Sequence, residues 1–105
     1  MKTPLACDHL ALTTEARRRH FDELGPRLRS LTTGVRELPN GYAFQFPADP
    51  DTAALVAEWA AGERLCCPFF DISLRREPGH GPFWLTVTGS AGTKEFIRAA
   101  AGLFF

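Results

Sequence analysis

The sequence contains two segments that carry the same order of features 41 residues apart, and this repeat constrains the fold more than any other feature. In each segment apolar residues alternate with others, as in a strand that buries one face. The aligned apolar positions are Tyr42, Phe44 and Phe46 in the first segment and Phe83, Leu85 and Val87 in the second. Both segments continue with a helix cap, at Asp49 and at Ser90. We therefore predict a duplicated strand-strand-helix unit.

Two such units predict an α+β fold. Two hairpins, each followed by a helix, can join into one four-stranded antiparallel sheet with both helices on a single face. We expect the first unit over residues 34–67 and the second over residues 69–105, after an N-terminal helix, in the order α-ββα-ββα. Residues 1–12 are a lead segment that carries Cys7. Because 105 residues with nine Phe and two Trp can build one core, a single domain over residues 1–105 is predicted, as a two-layer sandwich.

The first helix has clear start and packing signals. Thr13 and Thr14 precede an acidic residue, which is typical of a helix N-cap. An apolar stripe with spacings of three and four follows, at Phe21, Leu24, Leu28 and Leu31. Gly25-Pro26 should kink or divide this helix. His20 stands next to the stripe, and we interpret it as a packing or rim residue.

The remaining elements have local signals as well. Asn40-Gly41 predicts a type I′ hairpin turn, which needs positive φ values. Asp49 caps a second helix with Pro50 at its first position. That helix should end at about Cys66 or Cys67, because Pro68 lacks an amide donor and restricts the residue before it. A last helix is predicted from its apolar residues Phe96, Ile97, Ala100, Leu103 and Phe104.

The charge balance argues against several kinds of partner. Twelve basic residues balance twelve acidic ones, so no global positive field favours nucleic acid or an anionic membrane. The first residues leave no room for the apolar region of a signal peptide, and no run approaches membrane-spanning length. We therefore expect a cytoplasmic protein with no nucleic-acid or membrane partner. A structural disulfide is not expected in that reducing compartment, and three cysteines cannot all pair within one chain.

Adjacent cysteines at a predicted helix end are the most distinctive chemical feature of the sequence. The α-carbons of Cys66 and Cys67 must lie about 3.8 Å apart, below the roughly 4.4–6.8 Å usual for a disulfide, so a bond between them would be strained. The carbonyl groups at a helix C-terminus disfavour a thiolate by roughly 0.3–1 kcal/mol. A structural zinc ion bound by thiolates is worth about 10–16 kcal/mol. A bound cation is therefore the first functional expectation.

The third thiol, Cys7, stands beside Asp8 and His9 in the lead segment. Thiolates favour soft ions such as Cu(I) and Zn(II), and three sulfurs would make a trigonal site, or a tetrahedral one if His9 joins. We expect Cys7, Cys66 and Cys67 as metal ligands, with His9 and Glu63 as additional candidates. This requires the lead segment to fold back, so that Cys7 Sγ lies within roughly 4–6 Å of one of the pair. Apolar anchors on both sides of Cys7 should hold the segment in place, namely Leu5, Leu10 and Leu12.

Residues 63–69, read as Glu-Arg-Leu-Cys-Cys-Pro-Phe, resemble a signature of small bacterial proteins, Glu-x-x-Cys-Cys-Pro-Phe. Residues 41–47 and the early Cys7 add to the resemblance, which covers most of the chain from Cys7 to the last helix. The resemblance implies that Glu63, Cys66, Cys67 and Cys7 belong together, and it implies no particular activity. The adjacent cysteines alone also resemble the paired thiols with which mercuric reductases pass on mercury.

These observations favour a thiol protein that binds a soft metal ion, Hg(II), Cu(I) or Zn(II), for sequestration, delivery or sensing. A first alternative is a cysteine-dependent redox or thiol-transfer enzyme that acts on a small thiol, with Cys66, Cys67 and Glu63 as its catalytic residues. A second alternative is a homodimeric interaction module whose cysteines belong to the core. Trp84, which is predicted on the outer sheet face, is the residue that suggests a dimer or ligand surface.

Overall fold

The computed structural model describes residues 7–99 of the chain. Within that range a short 3₁₀ turn, His9–Ala11, leads into a continuous helical region. This region consists of α1 (Thr14–Arg18), a π-helical segment (Arg19–Leu24) and α2 (Gly25–Leu31). The oxygen of Thr13 accepts from the Ala16 amide at 3.1 Å, which confirms the predicted N-cap. The helix changes from π to α geometry at Gly25, next to Pro26, but its backbone stays helical there, with φ −55° and ψ −56°, so the helix is not divided.

The sheet follows in two hairpins that are separated and followed by helices. The first hairpin consists of β1 (Gly34–Leu38) and β2 (Gly41–Phe46), and α3 (Pro50–Cys66) follows it. The second consists of β3 (Asp71–Arg76) and β4 (Phe83–Thr88), and α4 (Thr93–Ala99) follows it. All pairings are antiparallel, and the strand order is β1-β2-β4-β3. The predicted α+β class with a four-stranded antiparallel sheet is confirmed.

The core lies between one face of the sheet and the helices. In the central pair, β2 and β4, the buried residues face each other directly, with Phe44 opposite Leu85 and Tyr42 opposite Val87. Helices α2, α3 and α4 supply the other side of the main cluster, with Leu28, Val56, Trp59 and Ile97 among its members. Three residues assigned to the last helix, Ala100, Leu103 and Phe104, lie outside the described residues.

The turn of the first hairpin differs from its prediction. Leu38 pairs with Gly41, so Pro39 and Asn40 form the connection. Among residues 7–99 only Gly79 and Gly92 have positive φ, so a type I′ turn is wrong. The physical reason is that Pro39 occupies the first turn position, where its ring fixes φ near −65°. Gly41 serves a different purpose, because a Cβ at this position would collide with the Val87 carbonyl oxygen of the neighbouring strand.

Helix α3 delivers the cysteine pair to one end of the molecule. Its N-terminus is fixed as predicted, since Asp49 accepts from the Thr52 amide at 3.0 Å and Pro50 is the first helical residue. Its last residue is Cys66, also as predicted. Over the part of the chain that the structure describes, no helix has the combination of length and apolar character that crossing a membrane requires.

Candidate thiol and metal site

The site is built around the last turn of α3. Cys66 is fully buried and Cys67, which caps the helix, is 3 % exposed. The Cys67 amide still donates to the Glu63 carbonyl at 2.7 Å, so both cysteines keep a helical anchor before Pro68 turns the chain away. Adjacent side chains on a helix diverge by about 100°, yet both sulfurs here point into the same small apolar cluster.

The lead segment folds back onto this helix end. The Asp8 amide donates to the Cys66 carbonyl at 2.6 Å, and Leu12 packs against both cysteines as part of their cluster. The predicted approach of Cys7 to the pair is therefore confirmed. Leu10 was expected to anchor the segment as well, but its side chain is 79 % exposed. Leu5, the third expected anchor, lies outside the described residues.

Cys7 and Cys67 form a disulfide, with their α-carbons 4.5 Å apart. This corrects the expectation that the chain has no disulfide. An odd number of cysteines excludes only complete pairing, so two of the three can still form a bond. The argument from a reducing compartment took no account of which thiols lie next to each other in the fold. The two residues are 60 positions apart, so no local pattern reveals their proximity. Because Cys7 and Cys67 are joined, Cys66 is the remaining free thiol.

The Cys66 thiol faces both the disulfide and a carboxylate. Its Sγ atom lies 3.8 Å from Cys67 Sγ. The thiol donates to Glu63 Oε2 at 3.1 Å. Burial, the negative charge of Glu63 and this hydrogen bond, in that order of size, together raise the pKa of Cys66 to about 12. Without a cation, therefore, Cys66 is a neutral hydrogen-bond donor and a poor nucleophile.

Glu63 is itself buried, although sequence reasoning left open whether it was only a surface acid. Glu63 precedes Cys67 by one helical turn, and the whole residue is 3 % exposed. On its other side, Glu63 Oε2 lies 3.7 Å from His20 Nε2. A buried carboxylate between a thiol and an imidazole is an arrangement that can hold a proton or a cation.

His20 is the site residue that sequence reasoning missed. It lies in the π-helical segment and is 3 % exposed. Its ring stacks on Trp59 with the centroids 5.8 Å apart, and Gly62 makes room for it, because a Cβ there would lie 2.5 Å from His20 Nδ1. A signal was present in the sequence, since His20 directly precedes the first residue of the apolar stripe, but no spacing rule links it to Glu63.

His9, the histidine that the sequence suggested as a ligand, does not lie beside Glu63 and Cys66. It is exposed, and its ring lies against that of Phe21, with the centroids 4.6 Å apart. Within residues 7–99, His20, Glu63 and Cys66 can each offer one ligand atom such that all three atoms lie within 4.8 Å of one another. The structure therefore brings Glu63 and Cys66 together with His20, rather than with His9.

In comparisons with known proteins, no family model matches the sequence, no curated protein matches it, and no solved structure matches the chain.

Proposed function

We propose that the reduced protein binds one soft metal ion through Cys7, Cys66 and Cys67, for sequestration, delivery or sensing. The observation that carries the proposal is the convergence of all three sulfurs at the end of α3. Cys7 and Cys67 are close enough to bond to each other, and Cys66 Sγ lies 3.8 Å from Cys67 Sγ. Three sulfurs at about 2.3 Å from a central ion would be about 4.0 Å apart, which agrees with that spacing.

Ligand chemistry supports a soft ion. An all-thiolate set favours Cu(I), Hg(II) or Zn(II) over hard cations such as Mg²⁺. Thiolates are disfavoured here without an ion, because the pocket is apolar, Glu63 adds a negative charge and the helix C-terminus adds partial negative charge. A bound cation removes this penalty by accepting the sulfur lone pairs. Metal binding therefore releases protons, and its affinity should rise with pH.

The disulfide supports redox control of this site. Once Cys7 and Cys67 are joined, two of the three sulfur ligands are unavailable to an ion. A cytoplasmic setting remains part of the proposal, because glutathione and thioredoxin would keep the thiols reduced there. Oxidation would release the ion, and reduction would restore the site.

The experiment is an anaerobic titration of the reduced protein with Cu(I), Hg(II) and Zn(II), followed by thiolate-to-metal absorbance and native mass spectrometry. We expect one ion per chain, and Cys7→Ser should lower the affinity by about tenfold or more. His9→Gln is the matched control from the same segment and should bind as the wild type does. An unchanged affinity in the Cys66→Ser, Cys67→Ser double variant would exclude the proposal.

A thiol-disulfide enzyme is the second candidate, and the Cys7–Cys67 disulfide is the observation that favours it. The thiolate of an external small thiol would attack one sulfur of the Cys7–Cys67 bond, form a mixed disulfide and release the other cysteine as a thiolate. A second external thiol would then complete the reduction and leave as an external disulfide, and a second disulfide, the oxidising substrate, would take up the two electrons and restore the Cys7–Cys67 bond. Catalysis of this exchange by wild-type protein, and its loss in Cys7→Ser without any metal dependence, would favour the enzyme over the metal protein.

We also infer that the fold consists of a duplicated strand-strand-helix unit. The element order, in which each hairpin is followed by a helix, supports the duplication. The cysteine pair belongs to the first of these units.

A further inference from the structure

His20 presents a buried nitrogen without a hydrogen-bond partner. The side chain is 4 % exposed, and its Nε2 atom makes no hydrogen bond in the structure. Aromatic packing explains the ring position, since Trp59 stacks on one face and Phe21 contacts it edge to face. Packing alone does not explain the nitrogen, because burying an unpartnered polar atom costs about 1–3 kcal/mol. A methyl-bearing side chain would fill this space without that cost.

The unpartnered nitrogen faces two further ligand atoms. Glu63 Oε2 lies 3.7 Å from His20 Nε2, and Cys66 Sγ lies 3.1 Å from the same Glu63 oxygen. All three ligand atoms fit within 4.8 Å. Zinc ligands lie at about 2.0–2.3 Å from the ion, so an ion between the three atoms requires side-chain shifts of only a few tenths of an ångström to about one.

Charge balance identifies the kind of ion. A Glu63 carboxylate and a Cys66 thiolate carry two negative charges, and a neutral imidazole adds none, so a divalent cation makes the buried group neutral. One nitrogen, one oxygen and one sulfur form a borderline donor set, which suits Zn(II) or Co(II) better than it suits Cu(I) or Mg²⁺. Three protein ligands also leave a fourth coordination position open, as in catalytic rather than structural zinc sites.

A cleft on the helix side of the molecule extends as far as the His20 ring. It has a volume of about 210 Å³ and lies between α1 with its π-helical continuation and α3. Its walls include His20 and Gly62, but neither the other two ligands, Glu63 and Cys66, nor the disulfide cysteines. Because His20 Nε2 is itself buried, an ion that enters this cleft must pass the imidazole ring to reach the three ligand atoms.

We propose that His20, Glu63 and Cys66 form a second site, for a divalent ion of the zinc class, which is complete while the Cys7–Cys67 disulfide is intact. The site shares Cys66 with the three-thiol site but needs neither of the other cysteines. The oxidised protein therefore binds a borderline divalent ion through nitrogen, oxygen and sulfur, whereas the reduced protein binds a soft ion through sulfur. This inference does not rest on the proposed function, because it concerns the oxidised form.

The test uses the full-length oxidised protein, freed of metal and with the disulfide verified by mass spectrometry. Titration with Co(II) should produce a thiolate-to-cobalt charge-transfer band in the near ultraviolet with one ion per chain, and Zn(II) should displace it. Cys66→Ser should abolish the band. His20→Asn and Glu63→Gln should each weaken Co(II) binding by about tenfold or more, while His9→Gln, on the neighbouring surface, should bind unchanged.

Two results would overturn the second site. The first is the absence of a sulfur charge-transfer band in oxidised wild-type protein, which does not depend on the folding of any variant. The second is an unchanged Co(II) affinity in folded His20→Asn protein, with folding checked by circular dichroism. Either result leaves the three-thiol site of the reduced protein standing, because that site is measured after reduction and depends on Cys7.

Discussion

At the scale of single residues, Cys66 determines how the thiols react. In the oxidised protein it is the one thiol left among the three cysteines of the chain. Its thiol is buried and donates a hydrogen bond to the Glu63 carboxylate. Both features favour the neutral thiol over the thiolate, which is the reactive form.

We therefore expect Cys66 of oxidised, metal-free protein to resist alkylation. Because its pKa is raised to about 12, the labelling rate with iodoacetamide should stay far below that of the denatured protein between about pH 7 and 10. Glu63→Gln removes one negative charge beside the sulfur, so this variant should react faster than the wild type while remaining slower than the denatured chain. Mass spectrometry of the labelled cysteine measures all three rates.

Equal labelling rates in folded and denatured wild-type protein would contradict this expectation. They would mean that the thiol is exposed or that its pKa is ordinary, and either reading would favour the enzyme over the metal protein. Glu58→Gln is a suitable control, since Glu58 is an exposed acid on the same helix that pairs with Arg19 rather than with a thiol.

At the scale of elements, α3 holds the site in place through its two ends. Asp49 begins the helix by accepting from both the amide and the hydroxyl group of Thr52, at 3.0 and 2.8 Å. These hydrogen bonds favour the carboxylate and lower the pKa of Asp49 below its ordinary value of 3.8. The folded protein therefore favours the ionised form of the Asp49 carboxyl group.

This cap makes the stability of the protein depend on pH in the acidic range. A lowered pKa in the folded state gives a stabilising contribution that is fully present above pH 3.8 and is lost as the pH falls further. Asn at the same position still caps a helix but does not titrate. We expect the difference in free energy of unfolding between wild type and Asp49→Asn to be constant above about pH 4. Below that pH the wild type should lose stability relative to the variant.

Urea unfolding of both proteins between about pH 6 and 2.5 measures this difference. A difference that stays the same throughout would show that the Asp49 carboxyl has the same pKa in the folded and unfolded chains.

The elements also show which features a sequence can reveal. The caps at Thr13 and Asp49 were predicted correctly, because a cap depends on residues within one helical turn. The π-helical segment was not predicted, since the room that it needs for His20 is provided by Gly62, 42 positions away. The hairpin turn type was wrong because the Asn40-Gly41 signal ignored the fixed φ of Pro39.

At the scale of the whole molecule, the two hairpins read from the sequence were sufficient to predict a four-stranded antiparallel sheet. The cysteine pair was correctly predicted at a helix end, and Cys7 close to it. The disulfide and the buried His20 could not be predicted, because both depend on how distant segments meet. Pattern rules describe one element at a time, whereas this site joins the lead segment, the π-helical segment and α3.

The disulfide should contribute strongly to global stability. It closes a loop between residues 60 positions apart, and a loop of that length corresponds to about 4 kcal/mol of lost unfolded-state entropy. We expect reduction of metal-free protein to lower the free energy of unfolding by about this amount, measured by urea denaturation with and without reductant in the presence of a chelator. Cys7→Ser, which cannot form the bond, should be unaffected by reductant.

Equal stability of oxidised and reduced wild-type protein would contradict this expectation, and it would remove the link between oxidation state and folding. A metal ion added to the reduced protein should restore part of the loss, since an ion shared by Cys7 and the pair would tether the same two segments.

The same covalent link affects what proteolysis can do to this protein. Residues 8–66 form a closed ring with Cys7 and Cys67, and the β1–β2 turn at Asn40 lies on the exposed part of that ring. A single cut anywhere on the ring leaves the two pieces joined by sulfur, and β4 still holds β2 by six paired positions. A nicked oxidised molecule therefore stays whole, and only reduction removes the covalent link between its halves.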